Sequence, residues 1–196
     1  IFLIHWYSSL FFQTVFLHRY SSHQMFTMSR FWEKVFFGFT FITQGSSFLN
    51  PRAYAILHRL HHKYSDTEKD PHSPEFSKNI IMLNLNTIKH YESIRRNKKD
   101  YSKYDQNVPR WLWLEKFSDH WITRVSFMVT YTLIYVAYTT STWQYMLLPI
   151  HFVMGPLHGS IVNWCGHRYG YINDKSTNDK SKNTLPIDFL MMGELF

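Results

Sequence analysis

Twelve histidines occur among 196 residues, and their spacing is the most informative feature of the chain. His58-Arg59-Leu60-His61-His62 puts three imidazoles at i, i+3 and i+4. On a helix turning about 100° per residue, those positions leave one face together. That is what one metal ion, or two adjacent ions, would require. His18-Arg19-Tyr20-Ser21-Ser22-His23 has a step of five, which turns an ideal helix by about 140°. The two rings should therefore diverge. Either they serve different metals, or the helix ends near Ser21-Ser22 and lets the second ring swing back. His167 closes the run Asn163-Trp164-Cys165-Gly166-His167, where Asn163 sits one turn earlier and could hold a metal-bound water. The single cysteine, Cys165, excludes both a thiolate cluster and an internal disulfide framework.

Imidazoles clustered without thiolates suit zinc, copper, iron or nickel. Six or more histidines exceed the needs of one tetrahedral zinc. The groups also border apolar runs, where inert C–H bonds are the obvious substrate, so iron is favoured. Asp66, Glu68 and Asp70 follow the second group and could accept hydrogen bonds from the far ring nitrogens. An exposed acidic loop would explain them equally well. His5, His151 and His158 lie inside apolar runs and are expected to be packing residues, while His90 and His120 belong to no group.

The elements that must position these rings read as helices. Aromatic content is high, with 17 Phe, 13 Tyr and 7 Trp against 7 Gly and 7 Pro, a composition suited to helices in or on a membrane. The expected fold is all-α: integral membrane helices under a cytoplasmic, histidine-rich cap of interfacial helices. Residues 1–17, 121–140 and 143–164 are expected to span, each long enough, or nearly so, for a hydrocarbon core of roughly 30 Å. The turn Thr139-Thr140-Ser141-Thr142 carries no charge, so it faces outward, and the histidine-bearing loops face the cytoplasm. The stretch 31–49 contains Glu33, Lys34, Gln44 and Gly45 and separates the first two histidine groups. A single crossing would put those groups on opposite faces, so 31–49 is expected to be interfacial or re-entrant. Residues 50–120 form the cytoplasmic cap, and 165–196 are cytoplasmic. Net charge is +7, and no nucleic-acid motif accompanies it; the basic residues flank apolar runs, as at an anionic membrane surface. The chain opens on Ile1 within an apolar run and closes on Gly193-Glu194-Leu195-Phe196 without a polar tail. It reads as one domain, 1–196, cut at both ends.

Together these residues resemble the membrane fatty acid desaturases, in particular the delta-9 acyl-CoA and acyl-lipid branch, over nearly the whole chain. His18 and His23 resemble the first box, HxxxxH; His58, His61 and His62 resemble the second, HxxHH. The run Lys63-Tyr64-Ser65-Asp66-Thr67-Glu68-Lys69-Asp70-Pro71-His72 is similar to this branch's continuation of that box, and Asn163 with His167 matches an NxxxH element. The resemblance implies two irons held by nine histidines, under which His18, His23, His58, His61, His62 and His167 are metal ligands and Asn163 a water-mediated contact. Asp66, Glu68, Asp70 and His72 would support the site or contact a headgroup. It further implies O2 as co-substrate and electrons from cytochrome b5 or ferredoxin with its reductase. The reaction would place a cis double bond, delta-9 by carry-over, in a fatty acyl thioester or acyl-lipid. The location would be the bacterial inner membrane or the endoplasmic reticulum.

The chain departs from that pattern in two places. A third box, another HxxHH, would follow Phe196, so the segment alone is expected to be inactive, with six of nine ligands. Animal acyl-CoA enzymes carry Arg-Asp before the second box, contacting CoA, where Ile56-Leu57 stands here; this leaves acyl-lipid or acyl-carrier substrates open. One rival is a membrane di-iron hydroxylase or monooxygenase acting on a lipid or alkane. Such enzymes usually space the first box as HxxxH, so the step of five and the Asp70-Pro71-His72 run favour a desaturase. The other rival is a non-enzymatic zinc-binding membrane protein.

Overall fold

The computed structural model describes residues 1–172, 181–184 and 187–194, the Ile187 side chain aside. Residues 173–180, 185–186 and 195–196, part of the segment assigned above to the cytoplasm, lie outside the described residues. Among those described, regular structure is helical, apart from an isolated antiparallel bridge between Tyr171 and Asn183. The α-helices are α1 (Phe2–Phe12), α2 (Arg30–Gln44), α3 (Pro51–Tyr64), α4 (Ile80–Arg95), α5 (Leu112–Asp119), α6 (Trp121–Tyr138), α7 (Leu148–Phe152) and α8 (Met154–Arg168).

α1 does not stop at Phe12. It widens into a π-helical stretch, Gln13–Ser22, in which the His23 amide donates to the His18 carbonyl five residues back at 3.0 Å. The Ser22 hydroxyl donates to the Leu17 carbonyl at the same separation, 2.8 Å. The carbonyls left over at the end of this stretch are taken by Arg59 of α3, which donates to Ser22 O and Ser21 O, both at 2.9 Å. Its remaining nitrogen donates to Tyr104 O at 2.7 Å and Gln106 O at 2.9 Å. A guanidinium at a helix C-terminus satisfies orphan carbonyls and complements the helix dipole. One arginine thus ties the second histidine group to the end of the helix carrying the first.

α2 begins at an extended Ser29 and runs back along α1. Tyr20 donates to Glu33 at one end, 2.7 Å, and the His5 ring meets the Thr43 carbonyl at the other, 2.6 Å. Phe12 stacks on Phe39 between them. The buried cluster of Phe16, Leu17, Phe37, Phe48 and Leu114 fills the space behind. The chain reverses at Gly45, whose φ of +51° favours glycine and where any Cβ would collide with the Tyr131 hydroxyl. Arg124 of α6 holds this turn through Ser46 O at 2.9 Å.

α3 starts at Asn50, whose side chain accepts from Ala53 N at 3.0 Å, with Pro51 at the first helical position. Ile56 and Leu57 are buried with Ala53 against Ile94 of α4. Ile56 is fully enclosed, a burial worth about 1.5–3 kcal/mol. No single described helix is long and apolar enough to cross a membrane. One pair, Thr142–Phe152 with Met154–Arg168, passes by length and composition together and is bent by 81°.

Candidate metal centre

The π-helical winding resolves the step of five between His18 and His23. The wider turn returns residue i+5 to the face of residue i, as π segments at functional sites often do. The two Nε2 atoms lie 2.9 Å apart. Neither sequence alternative holds alone: the helix does end beside Ser22, but the rings meet because the turn before it is wide. From α3, His58 brings its Nε2 to 2.8 Å from that of His23, and the His62 Nε2 lies 2.9 Å from His58's.

Four Nε2 atoms, on His18, His23, His58 and His62, therefore converge. A neutral imidazole nitrogen offers either one proton or one lone pair. His23 and His58 each face two others through a single atom, so hydrogen bonding cannot satisfy the set. A cation at the point of convergence can. Burial, then the neighbouring His18, His62 and Arg59, pushes the His23 imidazole down to about 4. Burial and the adjacent histidines also lower His58 well below the ordinary range. Both rings are thus in the neutral form that metal ligation needs.

The other half of the site is more enclosed. The His61 and His167 ring centroids are 5.3 Å apart. His61 donates from Nδ1 to Asp70 at 2.8 Å, and His167 Nδ1 lies 3.2 Å from Asp66, so a carboxylate stands behind each ring. Asp70 is itself held by the amides of Asp66 at 3.1 Å and His72 at 3.0 Å. Carboxylates behind metal-facing imidazoles fix tautomer and orientation. His61 and His62, 5.6 Å apart, join the halves. An all-imidazole donor set with this support fits iron, and no thiolate competes for a softer metal.

All six sequence-predicted ligands thus lie in one contiguous group. Asp66 and Asp70 stand behind it, whereas Glu68 is exposed and no described bond ties it to a ring. His72 packs on His61 at 4.4 Å and is buried. Asn163 and His167 both border a cavity of about 580 Å³ that runs from the histidines past Gln13 to Leu10 and His158. Two residues escaped the sequence reading. Glu194 approaches His18 Nδ1 to 2.7 Å, close by distance though not aligned as a hydrogen bond. Arg59 was overlooked because it looked like a spacer within the second group; its signal was a lone cation inside a ligand motif.

The fatty acid desaturase family profile matches residues 1–195. A delta-9 desaturase-like 4 protein of Arabidopsis thaliana is 26% identical over 182 residues, covering 90% of this chain and 56% of the relative. An sn-1 stearoyl-lipid 9-desaturase of Synechocystis sp. is 25% identical over 190 residues, covering 92% of this chain and 53% of the relative. The chain therefore spans about half the length of these curated relatives. No solved structure matches. With histidine boxes gathered at the head of a cavity and a profile match along its length, the chain belongs to the fatty acid desaturase family.

Proposed function

We propose that the full-length protein is an O2-dependent di-iron desaturase that introduces a cis double bond, at delta-9, into a saturated fatty acyl chain. The observation that carries this reading is the convergence of imidazole nitrogens in the wall of a cavity of about 580 Å³. His18, His23, His58 and His62 would hold one iron. His61 and His167 would hold the other, with a water kept by Asn163. Bound iron supplies O2 activation with electrons from cytochrome b5 or ferredoxin.

The chain's own residues supply geometry. Asp66 and Asp70 keep the Nδ1 protons of His167 and His61, and Arg59 fixes the end of the helix that bears His18 and His23. The cavity wall aligns the alkyl chain so that one pair of adjacent methylenes faces the ligands, which is catalysis by positioning. Exposed Leu3, Ile4, Val129, Leu133 and Val136 on α1 and α6 support a membrane setting. Exposed Trp32, Trp113 and Trp121 toward the histidine end, and Tyr138 and Trp143 at the other, suit its two interfaces. In that setting α2 is re-entrant, and the active site lies on the cytoplasmic side.

The test is the full-length protein, purified with its metals and given a saturated acyl substrate, O2 and a reductant. The expected result is two irons per chain and a cis-olefinic product. A zinc-only protein without O2-dependent turnover overturns the reading, and a hydroxylated product transfers it to the monooxygenases.

A further inference from the structure

α4 is apolar at one end and basic at the other. From Ile80 to Ile88 it carries no charged residue; Lys89, Glu92, Arg95 and Arg96 follow, with Lys98 and Lys99 just beyond. Arg95 is ion-paired with Glu92 and Asp119, and Arg96 with Glu92. Ile81 and Leu85, at i and i+4, form one stripe, while Ile88 borders the cavity. The stripe is open to the surroundings, with Ile81 67% and Leu85 48% exposed. The adjacent face, through Leu83, Asn84 and Thr87, borders the cavity. The first half of α4 is thus a wall one helix thick, with the cavity on one side and an unpartnered apolar stripe on the other.

The depth of this wall follows from α8. The Ser160 hydroxyl donates to the Asn84 side-chain carbonyl. Ser160 precedes His167 by seven residues, about 10 Å along the helix. If His167 marks the membrane surface, a placement that rests on the function proposed above, Asn84 and with it the first half of α4 lie below the headgroups. An uncharged half followed by the exposed Lys89, Arg96, Lys98 and Lys99 is the arrangement expected of a helix dipping into an anionic leaflet.

We propose that the first half of α4 is inserted in the bilayer, and that the cavity it walls takes its acyl chains from membrane lipids. The substrate is then a chain esterified in a lipid rather than a soluble thioester. The buried Ile56 and Leu57 accord with this, since they offer no charge to a soluble phosphate-bearing carrier.

Two measurements on the full-length protein test the proposal. Spin labels at I81C, L85C and R96C, in a C165S background, are placed in vesicles of phosphatidylcholine and phosphatidylglycerol. Labels at 81 and 85 should be relaxed by O2 and shielded from a water-soluble nickel complex, and the label at 96 should show the reverse. In the second measurement, the I81D/L85D double variant is given lipids with saturated chains. Turnover should fall about tenfold or more in vesicles, since a carboxylate in lipid is costly, yet stay within about twofold on the same lipids in detergent. Nickel access at 81, equal loss in both media, or wild-type turnover of acyl-CoA but not of lipid chains overturns the proposal. The proposed reaction rests on separate evidence: an iron-free, inactive protein would sink it while leaving the label pattern at 81 and 85 in place.

Discussion

His18, His23, His58 and His62 face one another through the same ring atom; near the other end of α1, His5 and His151 also face each other, but as links in a line. The Tyr135 hydroxyl donates to His151 Nε2 at 2.8 Å. His151 Nδ1 meets His5 Nδ1 at 2.5 Å, and His5 Nε2 reaches the Thr43 carbonyl at 2.6 Å. Because a carbonyl can only accept, His5 carries its proton on Nε2. It therefore accepts from His151 Nδ1, which leaves His151 Nε2 to accept from Tyr135. The tautomers follow from the network, and each of these atoms has a partner. The pair closes on itself as packing, whereas the four-histidine group turns the same Nε2 atoms toward one point. Convergence of one atom type, rather than proximity of histidines, is what separates a ligand set from a satisfied core.

That contrast can be broken by substitution. The largest effect is expected for His58→Ala in the full-length protein, because the His58 Nε2 faces both His23 and His62. Desaturation should fall to background and iron per chain should drop; retained iron and turnover would remove the convergent group from the site. Asp70→Asn should be milder, costing about 10–100-fold in metal affinity or activity by loosening His61. Competition with a chelator would measure it. His151→Phe should leave His5 Nδ1 and Tyr135 unpaired, lowering stability by about 1–3 kcal/mol with iron content unchanged. Loss of iron there would mean that the two groups are not independent. His90→Ala should change neither melting nor iron content, since His90 is exposed and outside both groups.

The second histidine group was legible because α3 is a regular helix, on which i, i+3 and i+4 share a face whatever the surroundings. The all-helical architecture was likewise readable from the apolar runs and aromatic content. Convergence of the first group was not, since it depends on how the backbone between Gln13 and Ser22 is wound, and no local residue declares that winding. Asp66, Glu68 and Asp70 were singled out as neighbours of a motif; Asp66 and Asp70 lie against ring nitrogens, and Glu68 is exposed. Glu194 lies far along the chain from His18, beyond the reach of any spacing argument. The expectation that His5 and His151 are packing residues agrees with their hydrogen bonds. His158 is less simple: it is fully buried against Trp6, yet neither ring nitrogen has a described hydrogen bond.

The π-helical stretch changes how the first box should be counted. A step of five through a wide turn delivers the same pair of rings as a step of four through an ordinary one. HxxxxH and HxxxH are then one arrangement written with and without a single inserted residue, and the insertion is absorbed by the backbone instead of the metal site. Shortening this chain by one residue between His18 and His23 would rewind the helix and still leave the rings side by side. The chemistry that the box serves must then be read from what lines the cavity beyond it.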